Sequence, residues 1–192
     1  MPSVLDVAFH ETGGSWQYCV IRLKKRQNYE PRQALHAAAA FNPVLGKIII
    51  AVDEDIDPWD ADSVNWALSF RLQPHRDIEI IRGRVTGLDP SGAPSTSPDA
   101  RYPNPPQGGS AILMDATRKF PYPPVALPAK HYMEKAKALW EELGLPALTP
   151  RMPWWGYELG HWTDEEKEEA ALAMRGEHYK TGEKVAGKRV KG

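Results

Sequence analysis

Cysteine is almost absent from this sequence, because Cys19 is the only one in 192 residues. One thiol cannot build an internal disulfide framework or a zinc site with several cysteines. Its position in the apolar stretch YCVIRL indicates a buried, unreactive side chain. No apolar run approaches the ~20 residues of a membrane-spanning helix, and the first residues lack the features of a signal peptide. We therefore expect a soluble, cytoplasmic chain.

An excess of charge is also lacking, because the formal net charge is −1. A nearly neutral chain has no general electrostatic attraction for nucleic acid or for an anionic membrane. We therefore expect neither as a partner.

Motifs that carry chemistry are missing as well. The six histidines do not recur at metal-ligand spacing, and TGG at 12–14 and GGS at 108–110 fit no phosphate-binding or dinucleotide-binding loop. There is no G-x-S-x-G and no cysteine–histidine arrangement for nucleophilic catalysis. From the residues alone, the chain shows no complete catalytic constellation.

Proline and tryptophan are abundant instead, with eighteen and seven residues that concentrate after residue 89. This asymmetry predicts an α/β domain at 1–125 and a helical, aromatic-rich C-terminal arm at 126–192. The aromatic side chains of the arm suit either docking to a partner chain or packing on the chain's own sheet. These residues are Trp140, Trp154, Trp155, Tyr157 and Trp162.

The hydrophobic pattern predicts an α/β fold in which a small, mainly parallel sheet is flanked by helices. Strand-like and helix-like segments alternate as far as residue 81, an order typical of parallel strands joined by right-handed crossovers. Residues 83–110 are predicted to form a long loop, and residues 180–192 to fray. The predicted strands are 16–25, 46–52, 76–81 and 111–120, and the predicted helices are 31–41, 60–72, 128–144 and 163–176, the last with a capping box at Thr163 and Glu166.

An acidic stretch at 53–62 raises the question of a metal site or an acid–base site. Aspartates alternate there as in a calcium loop, but that loop needs glycine and glutamate where this chain has Pro58 and Val64. A turn and a helix cap explain more of the pattern, because an aspartate precedes Pro58 and either Asp60 or Asp62 can cap the next helix. We favour this structural interpretation, while a catalytic pair of carboxylates stays open.

The segments VDEDIDPWDADSVNWALSFRLQPHRDIEI and MDATRKFP carry the most specific patterns of the chain. In both, the chain resembles the UbiD family of prenylated-flavin-dependent decarboxylases and carboxylases. The first, VDEDIDPWDADSVNWALSFRLQPHRDIEI, is similar to the family pattern V-D-D-D-I-D-x-x-D-x-x-x-V-x-W-A-x-x-x-R-x-x-P-x-x-D, with Glu54 as the one clear change in the acidic string. The second, MDATRKFP, is similar to D-A-T-x-K-x-P. The stretches PSVLDVAF, YCVIRLKKR and LPALTPRMPWWGYELGHW also resemble parts of this family's C-terminal domain. The matching positions of the first segment are Val52, Asp53, Asp55, Ile56, Asp57, Asp60, Val64, Trp66, Ala67, Arg71, Pro74 and Asp77.

The resemblance implies that the chemistry lies in another chain. In the family, the flavin-binding domain comes first and carries the catalytic Arg, two catalytic Glu residues and the metal ligands, and no such segment is found here. We therefore expect no catalytic residue and no metal ligand in this chain. The expected partner is a larger flavin-binding subunit that holds prenylated FMN with Mn²⁺ or Mg²⁺ and K⁺, in a hetero-oligomer that also self-associates.

The expected function is that of the small subunit of a split decarboxylase or carboxylase acting on an aromatic or α,β-unsaturated acid. One alternative is a non-catalytic assembly or regulatory protein derived from the same domain. Another is a full-length enzyme cut at its domain boundary.

The resemblance also implies which residues form the wall of the substrate and cofactor pocket. One segment leads into the strand before the acidic stretch, and the other opens the long loop. Several relatives carry Tyr-Thr where this chain has Leu45 and Gly46, so we expect a roomier, apolar pocket. A solvated lysine and a plain surface loop stay open as alternatives. The predicted wall residues are Asn42, Leu45, Gly46, Lys47, Ile48, Gly87, Leu88, Asp89 and Pro90.

Overall fold

The structure is a computed structural model that describes residues 3–42, 44–85, 89–92, 108–122, 128, 130–148 and 163–189. The chain divides into two compact units, each described here by itself. The first comprises Met1–Lys119 with Gly144–Tyr157, and the second Phe120–Leu143 with Glu158–Gly192. The boundary at 125/126 that the sequence suggests stays a prediction.

The first unit contains a five-stranded sheet with the strand order β1-β2-β3-β5-β4. A short 3-10 helix at Glu11–Gly13 lies between the first two strands. The strands are β1 (Val4–Phe9), β2 (Tyr18–Leu23), β3 (Ile48–Asp53), β4 (Ile78–Arg84) and β5 (Gly109–Ala116), and the helices of this unit are α1 (Glu30–Phe41), α2 (Ala61–Arg71) and α3 (Pro74–Asp77).

The sheet is mixed rather than mainly parallel. The central strands β2, β3 and β5 run parallel, whereas β1 and β4 pair antiparallel at the two edges. The predicted unit β2-α1-β3 is confirmed, but the sequence pattern assigns no strand to β1, and a parallel strand at 76–81 is wrong. Pro74 begins α3 there, and Asp77 accepts a hydrogen bond from the N–H of Gln73 at 2.7 Å, so the chain makes a helical turn before β4.

Apolar side chains form a core on each face of the sheet. α1 covers a cluster that includes Leu23, Leu35 and Ile49, and α2 covers a second cluster that includes Ile50 and Val64. β3 lies between both clusters, which explains its continuous run of apolar residues. Cys19 lies in the first cluster, where burial raises the pKa of its thiol to about 11 and keeps it protonated at neutral pH.

The edge strand β1 carries a polar contact in the middle of its length. The N–H of Val7 donates to Asp6 Oδ1 at 2.8 Å, and Trp59 Nε1 donates to Asp6 Oδ2 at 3.2 Å. Arg22 of β2 lies 3.8 Å from the same carboxylate. The loop between β3 and α2 therefore reaches back across the sheet to β1.

The second unit contains the helices α4 (Lys130–Glu142), α5 (Asp164–Met174) and α6 (Tyr179–Arg189). The predicted capping box is present, because Thr163 and Glu166 exchange two side-chain-to-backbone hydrogen bonds of 2.7 and 3.2 Å. Residues 180–192 are expected to fray. This expectation is wrong for residues 180–189, because α6 continues to Arg189. The remaining aromatic residues of the arm, at 154, 155, 157 and 162, lie outside the described residues.

None of the helices in these described ranges is both long and apolar enough to cross a bilayer.

The structure decides between the two candidate caps of α2. Asp60 accepts hydrogen bonds from the N–H of Asp62 at 3.4 Å and from Ser63, at 3.3 Å from its N–H and 2.9 Å from its hydroxyl. We predict that Asp60→Ala lowers the free energy of unfolding by about 1–2 kcal/mol, as expected for a lost N-cap. Urea unfolding measures this change. Asp62→Ala is the control and should cost clearly less, and equal losses would contradict the assignment.

Candidate functional site

The acidic stretch closes around one buried arginine at the carboxyl end of β3. The side chain of Arg71, at the end of α2, is 1% exposed. Its Nη1 donates to Asp53 Oδ2 at 2.9 Å and to Asp55 Oδ1 at 2.8 Å, and its Nη2 donates to Asp55 Oδ2 at 2.6 Å. Its Cζ also lies 5.1 Å from the centre of the Trp66 ring. Arg71 thereby compensates two carboxylates that would be costly to bury alone.

A second layer of charged groups extends this network to β5. The N–H of Arg118 donates to Asp53 Oδ2 at 2.7 Å. Lys119 Nζ lies 3.2 Å from Asp115 Oδ1 and 3.3 Å from Asp77 Oδ2. The network therefore joins the ends of β3, β5 and α3, and it brings the acidic string together with the MDATRKFP segment.

Burial and charge act on the two aspartates with different outcomes. Burial opposes the ionisation of Asp55, but the hydrogen bonds and the charge of Arg71 outweigh it and hold the pKa of Asp55 below its ordinary value. At Asp53, burial is the largest effect and raises the pKa, against the hydrogen bond from Arg118 and the charge of Arg71. Asp55 is therefore the carboxylate whose ionised form the folded state favours.

The contacts of the acidic stretch fit the structural interpretation. Asp57 Oδ1 accepts a hydrogen bond from the N–H of Trp59 at 2.9 Å, which makes a turn, and Asp60 caps α2. Within the ranges that the structure describes, no group of three or more His, Cys, Asp or Glu residues could hold a metal ion. The stretch works as an electrostatic tie between elements of the fold.

The predicted wall residues that the structure describes lie at the other end of β3. Five residue steps of about 3.3 Å put this end roughly 17 Å from Asp53. The segment 42–48 leads into the strand, and the N–H of Gly46 donates to the carbonyl oxygen of Trp16 at 2.8 Å. Gly46 has a φ of 71°, and a Cβ there would lie 2.8 Å from two carbon atoms of Ile49. Glycine is therefore required at this position by both conformation and space.

One guanidinium holds the same segment from the end of β4. Arg84 Nη1 donates to the carbonyl oxygen of Ala39 at 2.6 Å, and its Nη2 donates to those of Asn42 at 3.0 Å and Leu45 at 2.6 Å. The side-chain Oδ1 of Asn42 accepts from the N–H of Val44 at 2.9 Å. Both the carbonyl oxygen and the side-chain Oδ1 of Asn42 thus accept hydrogen bonds within the chain. These contacts fix the segment that leads into β3.

The two predicted wall segments meet through an ion pair. Lys47 Nζ lies 2.9 Å from Asp89 Oδ2 and donates to Ser91 Oγ at 2.6 Å. Ser91 in turn donates to Asp89 Oδ1 from its hydroxyl at 2.7 Å and from its N–H at 3.0 Å. The hydrogen bond from Lys47 is the main reason that the pKa of Asp89 is lowered. Lys47 is therefore an ion-paired residue in this structure.

The other residues of the second predicted segment contribute less to this arrangement. Pro90 lies exposed in the turn that follows Asp89. Gly87 and Leu88 lie outside the described residues, so the roles expected for them stay predictions.

The first segment divides between two faces of the sheet. Leu45 and Gly46 line an apolar groove of about 260 Å³ on the α1 face, whereas Lys47 and Ile48 line an open pocket of about 270 Å³ beside the β1–β2 connection. The first unit therefore does not bring all of the predicted wall residues into one pocket. Other walls of the groove come from Val7, Phe9, Ala38 and Phe41.

Sequence reasoning missed four residues that shape this end of the sheet. Thr12, Gln17 and Tyr18 line the open pocket beside the β1–β2 connection, and Arg84 holds the neighbouring 42–48 segment. The only signal in the sequence is the TGG turn at 12–14, which marks a change of direction next to β2. Nothing in the local pattern indicates that Arg84 contacts carbonyl groups about forty residues earlier.

A flavin phosphate or a divalent metal finds no ready site among these residues. The charge of Lys47 is matched by Asp89, and three carbonyl oxygens take hydrogen bonds from Arg84. The described part of the chain also lacks a cluster of metal-ligating side chains.

The fold of the chain is similar to that of UbiD-class decarboxylases of known structure. The closed form of the vanillic acid decarboxylase ShVdcCD of Sedimentibacter hydroxybenzoicus is similar with a TM-score of 0.56 and 26% identity, over 73% of this chain and 29% of that chain. The apo 3,4-dihydroxybenzoic acid decarboxylase AroY of Klebsiella pneumoniae is similar with a TM-score of 0.53 and 28% identity, over 70% and 29% of the two chains. The class of the fold is thereby defined.

The sequence assigns the family directly. The family model of the 3-octaprenyl-4-hydroxybenzoate carboxy-lyase C-terminal domain matches residues 1–116. The chain belongs to the UbiD family, as the resemblance predicts. The anhydromevalonate phosphate decarboxylase of Methanocaldococcus jannaschii is 37% identical over 92 residues, which are 47% of this chain and 22% of that protein. The chain thus spans only about a quarter of the length of such relatives.

The tie around Arg71 predicts a specific dependence of stability on pH. We expect Asp55→Asn to lower the free energy of unfolding at pH 7 by about 2–4 kcal/mol, because a charge-assisted bidentate contact is lost and Arg71 stays buried. The folded-state pKa of Asp55 lies below its unfolded value, so its contribution is complete above that value and disappears as the pH falls. The difference from the parent protein should therefore shrink below about pH 4.

Denaturant unfolding at several pH values measures this difference. Glu54→Gln is the matched control, because Glu54 is the neighbouring carboxylate and forms only an exposed ion pair of 3.3 Å with Lys24. Its effect should stay within about 0.5 kcal/mol. A loss at Asp55→Asn that does not change between pH 7 and pH 3 would refute the linkage.

The close contact at Gly46, before β3, leads to a second prediction about the free energy of unfolding. Gly46 and Gly83 both have a positive φ, but a Cβ at Gly83 meets nothing within 4 Å. Gly83→Ala should therefore cost about 1 kcal/mol for its backbone conformation alone. Gly46→Ala should cost at least about 1 kcal/mol more, because the added methyl group meets the buried Ile49 side chain. Urea unfolding of the two variants checks this, and equal costs would contradict the close contact.

Proposed function

We propose that this chain is the small subunit of a split UbiD-type decarboxylase or carboxylase that acts on an aromatic or α,β-unsaturated acid. The observation that carries the proposal is the match of the family's C-terminal domain to residues 1–116, combined with the similarity to ShVdcCD, a two-subunit decarboxylase. On this proposal, a larger flavin-binding chain supplies the rest of the enzyme.

The cofactor of the proposed complex is prenylated FMN with a divalent metal, Mn²⁺ or Mg²⁺, and K⁺, all held mainly by the larger chain. The support is that the described part of this chain lacks a metal-ligating cluster and leaves no unmatched cation at the start of β3 for a phosphate. A further support is that HmfF of Pelotomaculum thermopropionicum, a UbiD-class enzyme with a TM-score of 0.52 and 26% identity over 69% of this chain, forms a complex with FMN.

The proposed hetero-oligomer is supported by one of the similar structures. ShVdcCD is a two-subunit decarboxylase, so members of this class do assemble from different chains. This chain covers 29% of the ShVdcCD chain that it matches, so in that enzyme the domain belongs to a much longer polypeptide. The proposal therefore differs from ShVdcCD in where the polypeptide is divided.

Within the complex, we assign this chain the role of a pocket wall. The segments 42–48 and 87–90 face the substrate on this proposal, and their described parts are suited to it because Arg84 and the Lys47–Asp89 pair hold the backbone in place. A rigid wall excludes water and positions the substrate without taking part in bond breaking.

A second candidate function is that of a non-catalytic assembly or regulatory protein. The observation that favours it is the apolar groove, because exposed apolar patches mark protein interfaces. Val7 is 40% exposed and Phe41 is 84% exposed beside it. On this reading, the domain contributes association and not a substrate contact.

Coexpression separates the two functions. The chain would be expressed with a flavin-domain protein of the UbiD family and a prenyltransferase for FMN, purified anaerobically and assayed for CO2 release from aromatic acids. We expect co-elution of both chains and activity that requires this chain. Full activity of the larger chain alone would overturn the subunit role.

A variant of the coexpressed complex tests the pocket wall. Ile48→Ala removes an apolar side chain from the cavity at the start of β3, so we expect kcat/KM to fall roughly tenfold while the yield of complex is unchanged. Lys24→Met, at the opposite end of β2, is the control and should leave turnover unchanged. A change in yield without a change in turnover would support the assembly function instead.

A further inference from the structure

One face of α4 is apolar and open to solvent. Tyr132 is 52% exposed, Leu139 is 53% exposed and Leu143 is 64% exposed. Ala136, which lies between them on the helix, is exposed as well. The N–H of Leu143 donates to the carbonyl oxygen of Leu139 at 3.0 Å, so the helical turn carries this face as far as Leu143. We call the row formed by these four residues the α4 seam.

The spacing along the α4 seam is that of a helix which packs on another helix. Its residues follow one another at intervals of four, three and four positions, as the two core positions of a coiled coil do. An exposed apolar row of this kind marks a surface that another element covers. The cover that suits it is therefore a helix.

The sizes of the side chains favour an antiparallel partner. In a parallel pair in register, Ala136 would meet Ala136 of the other helix, and two small side chains would leave a gap. An antiparallel second copy, centred between residues 137 and 138, instead places Leu139 opposite Ala136 and Leu143 opposite Tyr132. Each layer of the contact then combines a larger side chain with a smaller one.

The charges beside the α4 seam favour the same arrangement. One flank carries Lys135 and Glu142, whereas the other carries Met133 and Trp140 and no charge. A two-fold axis perpendicular to the helices brings the same flank of both copies together. Lys135 of each copy then lies beside Glu142 of the other, and two ion pairs of opposite sign close that edge. Such flanking charges set the partner and the orientation of paired helices.

The charges on the outer face of α4 are arranged differently. Lys137 and Glu141 lie four positions apart, and Lys137 Nζ is 3.7 Å from Glu141 Oε1. Lys135 and Glu142 have no residue of opposite charge three or four positions away in the sequence. An antiparallel second copy supplies the opposite charge at these positions, which the helix itself does not.

We infer that α4 is a self-association surface, on which α4 of a second copy of this chain docks antiparallel through the α4 seam and two Lys135–Glu142 ion pairs. The inference does not depend on the proposed function, because the contact joins copies of this chain alone. It implies that the proposed complex contains this chain in pairs. The seam spans eleven residue steps, or about 17 Å. A contact this short is below the standard interface size, so we expect a dissociation constant of roughly 10–100 µM.

Sedimentation velocity of the full chain at increasing concentration measures the association. We expect a monomer–dimer equilibrium. Leu139→Lys brings a charge into the seam twice per dimer and should weaken dimerisation at least roughly a hundredfold. Ala138→Lys is the matched control, because it adds the same side chain at the neighbouring exposed position outside the seam. It should change the dissociation constant by no more than about twofold.

Exchange of the flanking charges tests the orientation. Lys135→Glu and Glu142→Lys each replace two contacts of opposite charge by two of like charge. Each should weaken dimerisation by roughly three- to tenfold, and by more at low ionic strength. The chain with both substitutions should regain the affinity of the parent, because the same ion pairs form again with their partners exchanged.

A chain that stays monomeric well above the expected concentration range would overturn the inference. So would dimerisation that Leu139→Lys leaves unchanged, or a double charge variant as weak as the single ones. If the free chain is monomeric and Leu139→Lys instead prevents co-elution with the flavin-binding chain, α4 docks that chain and not a second copy. A failure here leaves the subunit function standing, because the coexpression experiment measures CO2 release and not self-association.

Discussion

The structure depends on one buried guanidinium. Arg71 at the end of α2 binds the carboxylates of Asp53 and Asp55, and Arg118 binds Asp53 from the segment after β5. A side chain this deeply buried is stable only where its charge is compensated. The tie therefore fixes the end of α2 against the ends of β3 and β5 at the same time, and it explains why acidic residues crowd into one short stretch. Their role is to hold together elements that are distant in sequence.

The two ends of β3 differ in their surroundings. In open α/β sheets, ligands commonly bind at the carboxyl ends of the strands. Here that end is filled by matched charges, and an open pocket lies at the amino end of β3, where backbone groups of the 42–48 segment are held by Arg84. An arginine orders each end of β3. Arg71 fills the carboxyl end with ion pairs, and Arg84 fixes the backbone of the 42–48 segment at the amino end.

The sequence predicts the parts of this molecule that follow from local patterns. Residue composition predicts β2 and β3 as runs rich in apolar and β-branched residues and α1 as an alanine run that follows Pro31, and apolar residues at three- and four-residue spacing predict α2. The pattern does not predict β1, and it predicts β4 with the wrong direction, since strand direction and order depend on pairing between distant segments. Asp60 and Asp62 are equivalent caps in the sequence, and only the start of α2 distinguishes them. Lys47 and Asp89 are 42 positions apart, and no local pattern predicts their ion pair. Only the family resemblance indicates that both segments belong to one site.

The polar contact on β1 affects how the edge of the sheet can pair with other strands. An apolar strand at the edge of a sheet is a template for pairing with another copy, and such pairing leads to aggregation. On β1, Asp6 takes the N–H of Val7 and carries a negative charge at the edge, so two copies would bring like charges together. Asp6 therefore opposes pairing of β1 with a second copy of the chain, although Val7 is exposed on the same strand.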